Sequence, residues 1–167
     1  MPLQLHTYDP NWPKLFDVEA KRISSVLGSA LRQIEHVGST AIPGLAAKPT
    51  IDIAGTVPEL ECIDNAVVRR MGEIGYEFVW HDWFPTRRFF RRGERGAGTH
   101  HLHIFDVDSV EYLKMILFRD FWRNHPDSAA AYGKLKQELA TAAPDRQSYT
   151  DLKGPFVESI LRKANGE

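Results

Sequence analysis

His36-Val37-Gly38-Ser39-Thr40-Ala41-Ile42-Pro43-Gly44-Leu45-Ala46-Ala47-Lys48-Pro49-Thr50-Ile51-Asp52-Ile53 sets a Gly-Ser turn ahead of a lone carboxylate in an apolar strand. Arg32 to Val37 reads as a short strand running into the turn, and Thr50 to Ala54 as a second strand. Alternation along that second strand puts Ile51 and Ile53 on one face and Thr50, Asp52 and Ala54 on the other. Gly38 permits close backbone approach and Ser39 can cap the adjoining turn, so their N–H groups are suited to cradle a phosphate. The same dipeptide also fits a plain tight turn with a serine cap. A mid-strand carboxylate such as Asp52 needs a ligand or a partner, a metal ion or an arginine.

Upstream, Leu15, Phe16, Ile23, Val26 and Leu27 recur near helical spacing, which predicts a helix from Trp12 to Leu27 with Pro13 in its first turn and Gly28-Ser29 at its end. Downstream, Leu60, Ile63, Val67 and Met71 predict a second amphipathic helix closed by Gly72 or Gly75, followed by a strand over Tyr76 to Trp80. Arg87 to Arg92 and His100 to Val107 are extended runs around Gly93, Gly96 and Gly98, and pair naturally as a hairpin. The pattern then turns helical. Asp108 or Ser109 caps a helix with Leu113, Ile116, Leu117 and Phe121 on one face, a second helix spans about Ser128 to Ala140, and a third about Tyr149 to Ala164, where Gly154-Pro155 must start, kink or interrupt it. The architecture expected is α+β, a mixed α/β arrangement with a helical C-terminal third in one domain over 1–167.

Further chemistry-bearing residues lie outside the opening stretch. His101 and His103 alternate onto one face of their strand and are suited to a metal, forming with Asp52 a set that would favour Zn²⁺ or Mn²⁺; hydrogen bonding to substrate or sheet neighbours is the equal alternative. Lys48, between turn and strand, can neutralise a phosphate or simply be solvated. His36 can act as a base or pack, and Asp106 and Asp108 can add a carboxylate or cap helices. Arg87, Arg88, Arg91 and Arg92 split between two strand faces, to meet an anion or to charge a sheet edge. Of Arg119 and Asp120, one ties helix to sheet and the other reaches the cleft. Phe118, Phe121 and Trp122 read as helix core, and Cys62 as a small core residue.

Composition narrows the classes. With 167 residues, 43% hydrophobic and 26% charged, and a net charge of −1, the chain reads as globular, with no global field that would draw nucleic acid or anionic lipid. A single cysteine excludes an intrachain disulfide, no apolar run is long enough to span a bilayer, and Met1-Pro2-Leu3-Gln4 lacks a secretory signal's basic and apolar regions, so a cytoplasmic protein is expected.

The run Glu35 to Ile53 resembles the signature of the GrpB family. Shorter matches are Tyr8-Asp9-Pro10 with Trp12-Pro13, His101-Leu102-His103, Phe118-Arg119-Asp120, Tyr132 with Leu135-Lys136, and Tyr149 with Lys153. That family in turn resembles the DNA polymerase beta-like nucleotidyltransferases, which implies a mixed sheet flanked by helices and a Gly-Ser turn followed by two alternating strand aspartates. Gly38, Ser39 and Asp52 match the turn and the first aspartate, and Ala54 stands in place of the second. The resemblance implies a nucleoside triphosphate held by Gly38, Ser39, Thr40, Lys48 and, by likeness to a family arginine, Arg88, with Asp52 holding a divalent Mg²⁺ or Mn²⁺, and with transfer of a nucleotidyl group to an unknown small-molecule acceptor. Ala54 keeps two alternatives open: a non-catalytic nucleotide- or metabolite-binding module, and a metal-assisted hydrolase or condensing enzyme using Asp52, His101 and His103.

Overall fold

The computed structural model describes residues 4–166; the expectation about Met1-Pro2-Leu3 lies outside that range. Five strands form one mixed sheet: β1 (Gln33–Val37), β2 (Ile51–Val57), β3 (Glu77–Val79), β4 (Arg88–Glu94) and β5 (Ala97–Asp106), in the spatial order β1-β2-β5-β4-β3. The β2–β5 pair is parallel and the other pairs antiparallel, with Asp52 opposite His101 and Ala54 opposite His103. Five helices accompany the sheet: α1 (Trp12–Leu27), α2 (Asn65–Glu73), α3 (Val110–Asn124), α4 (Pro126–Ala142) and α5 (Arg146–Ala164). The α+β class with a helical C-terminal third is the architecture read from the sequence. Among the described residues no helix is long and apolar enough to cross a membrane.

Side-chain alternation gives the sheet two different faces. Ile51, Ile53, Phe90, Leu102 and Ile104 point to one, where they pack with Trp12, Ile23 and Leu27 of α1 and Val67 and Met71 of α2. Glu19 is buried at this layer, held by Arg22, Arg92 and the Tyr76 hydroxyl. On the other face α3 covers only one end, where Val37, Ala54, Phe105 and Tyr112 form a small core. A third core joins α3, α4 and α5 to the loop after β1, through Ile42, Leu45, Trp122, Ala129, Tyr132 and Ile160. A cleft remains between this helical block and the uncovered part of the sheet.

Several local expectations shift. The helix expected from Leu60 starts only at Asn65, because Asp106 Oδ1 accepts from Leu60 N at 2.8 Å and pins a short 3-10 turn (Leu60–Cys62) to the end of β5, and the Asp64 side chain then caps α2 by accepting from Val67 N. The face of α3 is rotated: Tyr112, Arg119 and Trp122 are buried while Leu113 is exposed. The cause is Arg119, whose guanidinium enters the layer and donates to Glu35 (2.6 Å) and to the His36 carbonyl (3.1 Å), tying α3 to β1. Asp120 accepts from Arg119 Nε, so this pair braces the fold and neither residue lines the cleft. Helix α5 begins at Arg146, capped by Asp145, and continues through Pro155. The arginine-rich strand is β4, one position in from the edge, and β3 is the edge.

Candidate active site

The turn and the carboxylate meet as the spacing implied. Gly38 closes β1 at φ +72°, and a Cβ built on it would lie 2.6 Å from Asp52 Oδ2, so only glycine fits beside that oxygen. Ser39 to Ala41 form one 3-10 turn. Thr40, buried, donates to the Thr50 carbonyl and meets His36 Nε2 at 2.9 Å, and Thr50 donates to the Gly98 carbonyl. These bonds lock the 38–50 loop onto β2 and β5. Thr40 therefore works as a brace at the border of the cleft. His36 packs: it is buried, stacked on Phe16, and its pKa is pushed down to about 4 by burial and then by the Arg123 charge.

The cleft, about 250 Å³, is lined by Gly38, Ser39, Lys48, Asp52, His101 and Lys136, with Thr50, Phe118, Tyr149, Thr150 and Lys153 around them. Its charge is lopsided. Among the described residues Asp52 is the one carboxylate on that lining, against Lys48, Lys136 and Lys153. Lys136, 3% exposed on α4, donates to Ser39 Oγ at 2.8 Å and to the Ala46 carbonyl at 3.2 Å. Its ammonium and that of Lys153 both lie over the Tyr132 ring, at 5.5 and 5.9 Å from the centroid. Burial and then the neighbouring Lys153 push the Lys136 pKa down to about 7, against the opposing pull of Asp52; burial lowers Lys153 too. The Tyr149 hydroxyl is buried without a hydrogen-bond partner among the described residues. Two lysines with depressed pKa values and an unpaired hydroxyl thus crowd around one concavity, where bringing in a negative charge would favour the ammonium forms.

Asp52 is held from its other side by imidazoles. Its Oδ1 lies 3.4 Å from His103 Nε2 and 3.5 Å from His101 Nδ1. Burial alone would raise the Asp52 pKa, but hydrogen bonds from His101 and His103 outweigh it and hold the carboxyl well below the usual range. Behind His103, Arg87 approaches His103 Nδ1 (3.2 Å) and His81 Nδ1 (2.8 Å). A guanidinium can only donate, so both Nδ1 atoms accept and the proton of each ring sits on Nε2. His103 thereby presents an N–H, not a lone pair, to Asp52.

That bears on the divalent ion the resemblance implies. A two-metal centre needs several oxygen donors. Ala54, in the place of the second aspartate, is fully buried against Val37, Phe105 and Tyr112, His103 has no lone pair to offer, and among the described residues no group of three or more His, Cys, Asp or Glu side chains is placed to hold a metal ion. The side chains present do not build a two-metal centre; to a single ion they offer the one carboxylate of Asp52, the remaining oxygens having to come from phosphate and water.

Of the residues named from sequence, Gly38, Ser39, Thr40, Lys48, Asp52 and His101 line the cleft, and His103 stands directly behind Asp52. Arg88 does not come to it. It shares the opposite sheet face with Phe90, donating to the Pro85 carbonyl with its guanidinium over Trp80. The neighbour that reaches the site is Arg87, which immediately precedes β4 and by alternation shares the site face with Phe89. Lys136, Lys153 and Tyr149 were not named as site residues. The sequence carries them in the resemblance at Leu135-Lys136 and at Tyr149 with Lys153, but nothing local says which helix face meets a turn about a hundred positions away.

Comparison with known proteins gives a consistent family. The model of the GrpB protein family matches residues 2–163. UPF0157 protein BH1888 of Halalkalibacterium halodurans is 40% identical over 98% of this chain and 83% of its own length, and UPF0157 protein PA4798 of Pseudomonas aeruginosa is 41% identical over 93% of this chain and 65% of its own. The crystal structure of conserved protein GrpB from Enterococcus faecalis superposes with a TM-score of 0.88 at 36% identity, covering 96% of each chain. More distantly, a Cid1 poly(U) polymerase structure superposes at TM-score 0.46 with 9% identity over 72% of this chain and 37% of that one, too loosely to carry an argument about chemistry here.

Proposed function

The chain belongs to the GrpB family, and from that premise we propose that its cleft binds a nucleotide through its phosphates. The observation that carries this reading is the convergence of Lys48, Lys136 and Lys153 with the Gly38-Ser39 turn on a concavity where Asp52 is the one carboxylate among the described residues. Phosphate oxygens would accept from the lysine ammoniums and from backbone N–H groups of the turn, and the unpaired Tyr149 hydroxyl would donate to the same ligand. Asp52, kept ionised by its imidazole partners, is a weak proton acceptor; its part is to fix His101 at the cleft wall and to repel a ligand placed too deep.

Nucleotidyl transfer is the reaction expected when an acceptor enters. The acceptor's oxygen or nitrogen would bond to the α-phosphorus, the bond to the β-phosphate's bridging oxygen would break, pyrophosphate would leave, and the acceptor's proton would pass to solvent. Lysines aimed at the phosphates would offset the charge that gathers on the leaving group. The burial of Ala54 in the core favours a second reading, a binding module without turnover.

Calorimetric titration with tripolyphosphate and with ATP, GTP, CTP and UTP tests the proposal, each in EDTA and again with Mg²⁺ or Mn²⁺. Binding in EDTA that falls at least about tenfold in Lys136→Met, with pyrophosphate release assayed alongside, supports it. Absence of binding to all five ligands under every condition overturns it, and binding seen only with metal and abolished by Asp52→Asn would instead restore a metal site.

A further inference from the structure

The segment joining β3 to β4 leaves large aromatic rings in water. Trp83, packed against Arg87, is 73% exposed; Trp80, 48% exposed, lies instead against Arg88, away from the cleft. An exposed tryptophan forgoes much of the burial that would normally stabilise it, so Trp83, at the end of a row of rings leading to the cleft, calls for a partner. From Trp83 the rings lead inward in regular steps. The His81 ring lies 5.0 Å from that of Trp83, Phe89 lies 5.2 Å from His81, and His101, at the cleft wall, lies 5.2 Å from Phe89.

Arg87 runs along this row. Its guanidinium carbon is 5.4 Å from the centre of the Trp83 ring and 5.0 Å from that of Phe89, while its terminal nitrogens donate to His81 and His103. Its Nε is buried without a partner among the described residues. The row is therefore rigid, cationic at its middle, open to solvent at Trp83 and continuous with the phosphate-binding cleft at His101.

We infer that this ring track receives the nucleobase of the nucleotide whose phosphates the cleft holds, the base stacking on the exposed face of Trp83 at its outer end; the inference rests on the phosphate reading of the cleft. A base offers two flat π faces to such rings, and the arginine charge favours a ligand that joins a π face to phosphate. Stacking tolerates any base, so the track gives affinity for nucleotides as a class and discriminates little between them.

The test compares ATP, tripolyphosphate and adenosine on the full chain, by calorimetry and tryptophan fluorescence, in wild type, Trp83→Ala and Trp83→Phe. Trp83 is mostly exposed, so all three proteins should melt alike. ATP is expected to bind roughly 5- to 150-fold more tightly than tripolyphosphate, with quenching of fluorescence. Trp83→Ala should erase that advantage, Trp83→Phe should keep most of it, and tripolyphosphate affinity should be the same in all three. Equal binding of ATP to wild type and Trp83→Ala overturns the track, as does a wild type that prefers ATP no more than tripolyphosphate. If tripolyphosphate fails to bind while adenosine binds in a Trp83-dependent way, the phosphate reading falls and the track stands.

Discussion

At single positions, the site depends on shapes and charges that tolerate little change. Gly38 combines a left-handed backbone with an approach to Asp52 that leaves no room for a Cβ. Gly38→Ala is expected to lower stability by about 1–3 kcal/mol in urea unfolding and to lose phosphate binding, because relief of the clash must move Asp52 or the turn. Lys136 sets a pH dependence. Its ordinary pKa of 10.5 falls to about 7 in the folded protein. Between those values the unfolded chain holds a proton that the folded protein has released. The ligand-free protein should therefore gain stability as pH rises from about 7 towards 10, by up to roughly 1.4 kcal/mol per pH unit, and Lys136→Met should remove that gain in melts across this range. Phosphate affinity should move the opposite way, weakening above pH 7 as the ammonium is lost. At this scale the sequence was legible where chemistry is local: Gly38, Ser39 and Asp52 lie within one short stretch. It was misleading at Arg88, where likeness to a family position selected one of two adjacent arginines that point to opposite sides of the sheet.

Elements were placed by periodicity and displaced by single polar contacts. Helix α1 and the β4–β5 hairpin stand where their patterns put them, since each buries a face defined by its own residues. The start of α2 and the face of α3 moved because Asp106 and Arg119 bond to partners distant in sequence, which no window of local pattern contains. Arg119→Met is expected to cost about 1–3 kcal/mol by leaving the His36 carbonyl and Glu35 without their donor, read as a lower urea midpoint. Ser109→Ala removes the oxygen that accepts from Tyr112 N at the head of α3, and should cost about 1 kcal/mol in the same measurement.

Across the whole molecule, the cleft exists because the C-terminal helical block docks against the loop after β1, with Lys136 reaching from α4 to Ser39 and Ala46. A ligand that engages both sides should bind the folded state alone. Saturating ATP at about a hundredfold over its dissociation constant is therefore expected to add roughly 2.7 kcal/mol to stability, and to slow amide exchange in α4 and α5 as well as in the 38–41 turn. Protection confined to the turn would show that the helical block is not part of the receptor. Residue order alone established the α+β class, the strand-turn-strand unit around Gly38 and Asp52, the hairpin carrying His101 and His103, and the family, because each is written in alternation, helical spacing or a contiguous signature. Folding in three dimensions had to supply the rest: Lys136 and Lys153 brought beside Lys48 in the cleft, the arginine that settles the His103 proton, and the burial of Ala54. These depend on which faces of distant elements meet, and that is decided by the packing of the whole chain.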